Sequence, residues 1–98
     1  MSYARNVSFQ IKTGKEKELA TLLDASVLPM LRKQTGFKHE LAMTQGNRFV
    51  GISLWADKSS AETYATAGYP EVLKTLGPVI EGTPKVEGFV VTMSTLGS

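Results

Sequence analysis

The pair of strand-like runs at residues 37–45 and 48–56 constrains the fold of this 98-residue chain more than any other feature. Only Gly46 and Asn47 separate the two runs, and this pair suits a tight turn with positive φ, so the sequence predicts a β-hairpin. Opposed residues share a sheet face, which gives one face the pairs Met43 with Val50, Leu41 with Ile52, and His39 with Leu54. The other face then carries the pairs Ala42 with Gly51, Glu40 with Ser53, and Lys38 with Trp55.

Two further strands are predicted near the ends of the chain. Apolar residues alternate with polar ones at positions 7, 9 and 11, which is typical of a half-buried strand over residues 3–12. A run rich in Val, Thr and Phe over residues 86–96 predicts the last strand. A turn at residues 82–84 should precede it.

The first helix is predicted between the first strand and the hairpin. Thr13 and Glu16 have the spacing of a capping box, and leucines at helical spacing follow them. This pattern predicts a helix over residues 14–34. Pro29 lies inside it and should bend the helix or end its regular part.

A second helical region is predicted after the hairpin. Ser59 and Glu62 form another possible capping box at its start. Gly68 should interrupt the region, and Pro70 can restart it at a first helical position before Gly77 ends it. The resulting order of elements is β-α-β-β-α-β.

That order predicts an α+β, ferredoxin-like sandwich in which both helices cover one face of an antiparallel sheet. We expect one domain over residues 1–96, with residues 97–98 as a C-terminal tail that is either native or a cloning remnant. Five large apolar residues cannot all share a face with the aliphatic stripe of the hairpin, so some of them should lie on the side that the helices leave open: Phe49, Trp55, Phe89, Val91 and Met93. An exposed apolar sheet face favours pairing of two chains, so we expect a homodimer.

Composition excludes several classes of function. The chain has no cysteine, which rules out thiol nucleophiles and zinc–thiolate sites, and its single histidine argues against a metal site. A net charge of +2 with scattered basic residues is not the footprint of a nucleic-acid-binding protein. No apolar run reaches membrane-spanning length and no signal-peptide pattern follows the start, so we expect a cytoplasmic protein.

Three segments carry a family resemblance: VLPMLRKQTGF, RFVGISLWADKSSAETYATAGYP and LGPVIEGTPKVEGFVV. With their order along the chain, the sequence resembles the antibiotic biosynthesis monooxygenase family. The resemblance implies a dimeric α/β barrel with a pocket in each chain between sheet and helices. Family members include cofactor-independent oxygenases that act on quinols and polyketide-like aromatic rings, and haem-degrading enzymes.

The resemblance does not extend to haem degradation. That branch typically has an asparagine on the first strand, a tryptophan in the second helix and a histidine that binds iron. Asn6 can match the first of these, but Tyr64 stands near the tryptophan position and Lys74 near the histidine position. We therefore expect no haem, no metal and no other cofactor.

His39 is the candidate general base, because an imidazole titrates near neutrality and this one lies on the aliphatic face that we expect the helices to cover. Phe37, Leu41 and Leu54 are the neighbours expected to line the substrate pocket. The alternative is a structural histidine that hydrogen-bonds to backbone or to a tyrosine.

Tyr64 and Tyr69 belong to the second helical region, where either hydroxyl can point into the same pocket. Tyr64 is the expected catalytic partner of His39, and Tyr69 an expected substrate contact. A purely structural role, with the ring buried and the hydroxyl bonded, is the alternative for both tyrosines.

Trp55 falls on the opposite face from His39 in the predicted register, beside the small residues Gly51 and Ser53. Space beside a large ring suggests room for a side chain of another subunit, so Trp55 is predicted to anchor the dimer interface, with a cation–π contact from Lys38.

Two functions remain open from the sequence. One is a cofactor-independent monooxygenase that oxidises a small aromatic, quinol or polyketide-like substrate, with His39 as the base. The other is a non-catalytic dimeric module that binds or senses a small apolar ligand in the same pocket.

Overall fold

The computed structural model describes residues 2–96, which form one four-stranded antiparallel sheet with helices on one side. The expected tail at residues 97–98 lies outside the described residues. The strands are β1 (Tyr3–Ile11), β2 (Phe37–Gln45), β3 (Arg48–Trp55) and β4 (Ile80–Val90). The helices are α1 (Glu16–Leu22), α2 (Leu28–Arg32), α3 (Lys58–Ala67) and α4 (Tyr69–Leu76), with a π-helical turn at Leu23–Val27 and a 3-10 turn at Gly77–Val79. The ferredoxin-like α+β class is confirmed.

The hairpin of β2 and β3 has the predicted register over most of its length. Gln45 pairs with Arg48 across the turn, where Gly46 has a φ of 60°, and the pairing continues to His39 with Leu54. A bulge then shifts β2 by one residue, so that Trp55 faces Phe37. The predicted pairing of Trp55 with Lys38 is wrong because of this bulge.

β1 decides which sheet face the helices cover. Its neighbours are β3 and β4, in the sheet order β2-β3-β1-β4. β1 has only one apolar face, and its register with β3 places Val7 opposite Gly51 and Phe9 opposite Phe49. The helices therefore pack on the face that includes Trp55, which we call the covered face.

The expectation that the helices cover the aliphatic stripe of the hairpin is wrong. Val50, Ile52 and Leu54 are only partly buried and lie on the other side of the sheet, which we call the open face. The covered face has the larger aromatic side chains, and burying these removes more apolar surface from water than burying the stripe would.

The core is built around two aromatic groups. Phe9 and Phe49 stack with ring centroids 4.5 Å apart, and Trp55 stacks on Tyr64 at 4.7 Å. Trp55 is 0% exposed, and its indole Nε1 donates a hydrogen bond of 2.9 Å to Ser53 Oγ. Strand β3 thus contributes both its large and its small residues to the interior.

The first helical region is continuous over residues 16–32, but a π-helical turn just before Pro29 interrupts its regular α-helical part. Proline has no backbone N–H, so the carbonyl of Ala25 loses its α-helical partner, and the π-helical turn just before α2 accommodates this. The expected capping box at Thr13 and Glu16 is wrong, because α1 begins after Lys15 with no side-chain cap.

The second helical region begins two residues earlier than its predicted capping box. Asp57 is the N-cap of α3, and its carboxylate accepts a 2.7 Å hydrogen bond from the backbone N–H of Ser60. This bond lowers the pKa of Asp57 below its usual value. The predicted interruption at Gly68 is confirmed, since α4 begins at Tyr69 with Pro70 in its first turn.

The last strand begins six residues earlier than predicted. β4 starts at Ile80 and passes through the predicted turn at Gly82 and Pro84, where the register against β1 shifts between Ser8 and Gln10. A proline is tolerated there because β4 is an edge strand, whose outer N–H groups need no partner in the sheet.

The open face carries large apolar side chains, as predicted; Phe89 is one of those expected there, whereas Leu41 and Met43 were expected under the helices. Leu41 is 56% exposed and Phe89 is 49% exposed, and Met43 lies beside Leu41 on the same face. Phe49 and Trp55, which were expected there, belong to the core. Among the described residues, no helix has the length and apolar character to cross a membrane.

Candidate active site

The predicted catalytic pair is split by the sheet. His39 is exposed on the open face and borders a shallow pocket with Lys38, Leu54 and the C-terminal segment. Tyr64 is 4% exposed, and its side chain points from α3 towards the covered face. The structure therefore does not bring His39 and Tyr64 together within one chain.

The predicted pocket residues divide in the same way. Leu41 and Leu54 share the open face with His39. Phe37 packs edge-on against Trp55 at 5.6 Å, and Tyr69 lies 6.0 Å from Tyr64, both on the covered face.

Trp55 is not available to a second subunit, because its side chain is completely buried within this chain. Its predicted role as a dimer anchor is therefore wrong. The small residues beside it do leave space, but Glu40 and Phe49 of the same chain occupy it: a Cβ added to Gly51 would lie 2.9 Å from the Phe49 ring and 3.2 Å from Glu40 Oε2.

A buried arginine lies at the centre of the covered face. Arg5 is 6% exposed, and its guanidinium carbon is 4.5 Å from the ring centroid of Tyr69 and 5.0 Å from that of Tyr64. Cation–π contacts of this kind offset part of the cost of burying the charge. Among residues 2–96, no carboxylate lies within salt-bridge distance of Arg5. The guanidinium is thus a buried cation without a paired anion.

Glu40 is the carboxylate that faces this cation. Burial raises the pKa of Glu40 from 4.5 to about 7, and the positive charge of Arg5 opposes the rise. A carboxyl group with a pKa near neutrality is present in both protonation states at neutral pH. Glu40 can therefore accept or donate a proton under ordinary conditions.

Two tyrosine hydroxyls complete the group. Burial raises the pKa of Tyr64 and of Tyr69, while Arg5 opposes the rise in each case, so both phenols stay protonated. The hydroxyl oxygen of Tyr69 is buried and has no hydrogen-bond partner among residues 2–96. An unpartnered buried hydroxyl is costly in the free protein and is available to bind a ligand oxygen.

These polar groups line a small cavity between the sheet and the helices, the inner pocket, with a volume of about 40 Å³. Its remaining walls are apolar residues of β1, β3, α2, α4 and the π-helical turn. We define it by its polar residues: Arg5, Glu40, Ser53, Tyr64 and Tyr69.

A larger cavity of about 400 Å³, the outer groove, lies between β2 and the first helical region. Glu40, Phe49 and Leu31 border both cavities. This volume falls in the range of pockets that bind small organic ligands, roughly 300–1,000 Å³. The geometry provides room for an aromatic ligand in the outer groove, with a polar end reaching Glu40.

The arrangement fits proton transfer coupled to stabilisation of an anion. Glu40 can take a proton, and Arg5 and the Tyr69 hydroxyl can stabilise the negative charge that remains on the ligand. Among the described residues, no group of three or more His, Asp or Glu side chains is placed to hold a metal ion.

Comparison with known proteins identifies solved structures of the same fold, and the sequence identity to these structures is low. No protein-family model matches the sequence, and no curated protein matches it either. A solved structure of a protein of unknown function from Nitrosomonas europaea is 22% identical, with a TM-score of 0.82 and a match covering 99% of this chain and 95% of that one.

Two similar structures have named activities. A monooxygenase of Streptomyces coelicolor, solved with the ligand nanaomycin D, is 20% identical with a TM-score of 0.77, covering 99% of this chain and 93% of that one. SnoaB, a cofactor-independent oxygenase from Streptomyces nogalater, is 14% identical with a TM-score of 0.75, covering 96% of each chain. Candidate antibiotic biosynthesis monooxygenases are among the other matching structures. The chain has the fold of the antibiotic biosynthesis monooxygenases.

Within this antibiotic biosynthesis monooxygenase fold, sequence reasoning missed the two charged residues of the inner pocket. Arg5 lies on the same face of β1 as Val7, Phe9 and Ile11. A charged residue on an otherwise apolar strand face is the sequence feature that could have identified it as a site residue. Glu40 was placed correctly on the face of Ser53 but was passed over, because that face was expected to be the open one.

Proposed function

We propose that this chain is a cofactor-independent monooxygenase that oxidises a small aromatic, quinol or polyketide-like substrate. The observation that carries the proposal is Glu40, whose carboxyl has a pKa of about 7 and faces the buried, unpaired Arg5 beside an apolar cavity. The fold shared with oxygenases of Streptomyces supports the reaction class.

In this mechanism the substrate is itself the reductant. For an activated CH₂ group next to a phenol, Glu40 takes one proton, and the resulting anion is stabilised by Arg5 and the Tyr69 hydroxyl. The anionic carbon bonds to one atom of dioxygen, and the outer oxygen takes the proton back from Glu40. Loss of water from this hydroperoxide leaves a C=O group, so one oxygen atom enters the product and the other leaves as water.

His39 is replaced as the base in this proposal. It lies on the far side of the sheet from the inner pocket, and the pocket that it borders shares no lining residue with the inner pocket. The proposed roles are therefore Glu40 as proton acceptor, Arg5 as the partner of the anion, and Tyr69 as hydrogen-bond donor.

Oxygen consumption with a panel of anthrones and hydroquinones tests the proposal. Wild type should consume oxygen, Glu40→Gln should lose roughly 10²-fold or more, and His39→Gln should keep its rate. Glu71→Gln is the control for removal of an exposed carboxylate, since Glu71 lies on α4 outside both cavities. Wild type that consumes no oxygen with any substrate of the panel, or Glu40→Gln with full activity, would refute the proposal. Ligand binding without oxygen uptake would assign the pocket to the non-catalytic alternative.

We also propose that a second copy of the chain covers the open face. Leu41, Met43 and Phe89 give this face exposed apolar area, and its other side chains are mostly short or uncharged. A homodimer would remove this area from water. Light scattering at micromolar concentration should give the dimer mass, and Leu41→Glu should give the monomer; wild type that is monomeric there would rule out the dimer.

A further inference from the structure

The charges around the outer groove all have the same sign. Its twelve lining residues are eight apolar residues, Thr44, and the three carboxylic acids Glu16, Asp24 and Glu40. Within the described part of the chain, no lysine or arginine lines this groove. The protein as a whole has 11 basic and nine acidic residues, so the groove has the opposite charge to the molecule around it.

The nearest buried cation belongs to the other cavity. Arg5 lines the inner pocket and not the outer groove, whereas Glu40 lines both. A ligand that occupies the groove therefore lies beside Glu16, Asp24 and Glu40, whereas Arg5 lies in the adjoining inner pocket.

We propose that the outer groove selects uncharged or cationic aromatic molecules and excludes anionic ones. The inference rests on the proposed function for the identity of the site and names the charge class of its substrate. The anion that Arg5 stabilises is then formed inside the site when Glu40 takes a proton, and it is not imported from solution.

Electrostatics explains why this selection is effective. An anion moving into the apolar groove loses hydration and approaches the three carboxyl groups that line it. A neutral phenol avoids both costs. Glu16 and Asp24 are exposed, so salt screens their contribution and selection should be strongest at low ionic strength.

Isothermal titration calorimetry on the wild-type chain with three ligands of matched shape tests the inference: 1-naphthylmethanol, 1-naphthylmethylammonium and 1-naphthoate. At low salt, the alcohol and the ammonium ion should bind, and the carboxylate should have a Kd at least about tenfold higher than the alcohol. The double variant Glu16→Gln, Asp24→Asn should reduce that ratio by about threefold, while the control Glu71→Gln should leave it unchanged.

Three results would overturn the selection: naphthoate binding as tightly as the alcohol, an unchanged ratio in the double variant, or no binding of any of the three ligands at millimolar concentration. Failure of the proposed function gives a different pattern, in which the alcohol binds selectively but neutral phenols cause no oxygen uptake. Conversely, oxidation of a sulfonated hydroquinone as fast as the neutral one would leave the oxygenase intact and refute the selection.

Discussion

The covered and open faces of the sheet are formed by alternate residues of the same strands, but their side chains differ in type and in burial. On β3, alternate residues from Phe49 to Trp55 are buried against the helices, and the residues between them are only partly buried. The covered face contains aromatic rings, a buried arginine and a partly buried carboxyl group that are not in salt-bridge contact: Phe9, Phe49, Trp55, Arg5 and Glu40. The open face contains aliphatic side chains and the only histidine: Leu41, Met43, Leu54 and His39.

This difference shows that the chemistry of a side chain depends on the face to which it belongs. Glu40 and His39 are adjacent in sequence, yet only Glu40 is enclosed, so burial shifts its pKa towards neutrality. An apolar surface around a charged group changes its protonation, whereas the open face leaves a titratable group in water. The acid–base candidate is therefore set by burial and not by residue type.

The largest expected effect is on stability and comes from the core. Trp55→Ala should lower the free energy of unfolding by about 3–5 kcal/mol, because it removes a fully buried ring and the stacking on Tyr64. Leu41→Ala on the open face should cost less than about 1 kcal/mol in the monomer. Urea denaturation measures both.

The same pair of variants also tests the dimer. If a second copy covers the open face, Leu41→Ala should lower the free energy of unfolding by a larger amount at high protein concentration, where the wild type is dimeric. The loss caused by Trp55→Ala within the monomer should not depend on protein concentration. Equal costs for the two variants at the lowest concentration would contradict the division into covered and open faces.

The next effect is a pH dependence that belongs to Glu40. Its folded pKa of about 7 is above the ordinary 4.5, so the folded state binds the proton more tightly than the unfolded state. Stability should therefore fall as pH rises from about 4.5 through 7, by at most about 1.4 kcal/mol per pH unit. The proposed activity should rise over the same range, because the base must be ionised.

Glu40→Gln should abolish this slope in stability, and His39→Gln should retain it. The other ionisable groups around Glu40 are Arg5 on β1, Tyr64 and Tyr69 on the second helical region, and Glu16 and Asp24 along the outer groove. Melting temperatures between pH 5 and pH 8 provide the measurement. A slope that persists in Glu40→Gln would assign the titration to another group.

A smaller effect is expected at Gly51, where the covered face leaves no room for a side chain. Its added Cβ would press on Phe49 and on the Glu40 carboxylate, so Gly51→Ala should cost about 1–3 kcal/mol and reduce activity by moving the base. Gly77→Ala is the matched control, since its Cβ would meet nothing within 4 Å. Unchanged stability and turnover in Gly51→Ala would show that the position of the Glu40 carboxylate does not depend on a glycine at residue 51.

The smallest effect on stability is expected from Tyr69→Phe. The variant removes a buried hydroxyl that has no hydrogen-bond partner in the described part of the chain, so the free energy of unfolding should rise or should change by no more than about 0.5 kcal/mol. Ligand binding or turnover should nevertheless weaken, because the donor to the ligand oxygen is lost. Tyr3→Phe, whose hydroxyl lies against Gly88 outside both cavities, is the control. Equal turnover in the two variants would remove Tyr69 from the site.

Much of the local structure follows from short-range signals. The Gly46–Asn47 turn gave the hairpin register down to His39 with Leu54, and Gly68 with Pro70 gave the break between α3 and α4. Both depend on backbone preferences of neighbouring residues. The N-cap at Asp57 was missed, because Asp57 and Ser59 are both suitable capping residues and the sequence does not choose between them. The start of β4 was missed, because its proline is tolerated only in an edge strand, and edge position depends on the whole sheet.

The candidate site was less predictable, because it depends on contacts between distant segments. The hairpin register separates Glu40 and Ser53 from His39 and Leu54, but it does not say which set faces the helices. Only the register of β1 against β3 does so, by placing Arg5 opposite Ser53. No turn connects these two strands, so nothing local in the sequence fixes that register.

The sequence by itself therefore determined the order of elements, the hairpin and the division of its residues into two faces, since periodicity and turn chemistry act over a few residues. The tertiary structure decided which face became the interior. Packing the single apolar face of β1 beside β3 buried Trp55 and enclosed Arg5 with Glu40. Burial, and the loss of water that accompanies it, is what gives Glu40 the pKa of a potential base.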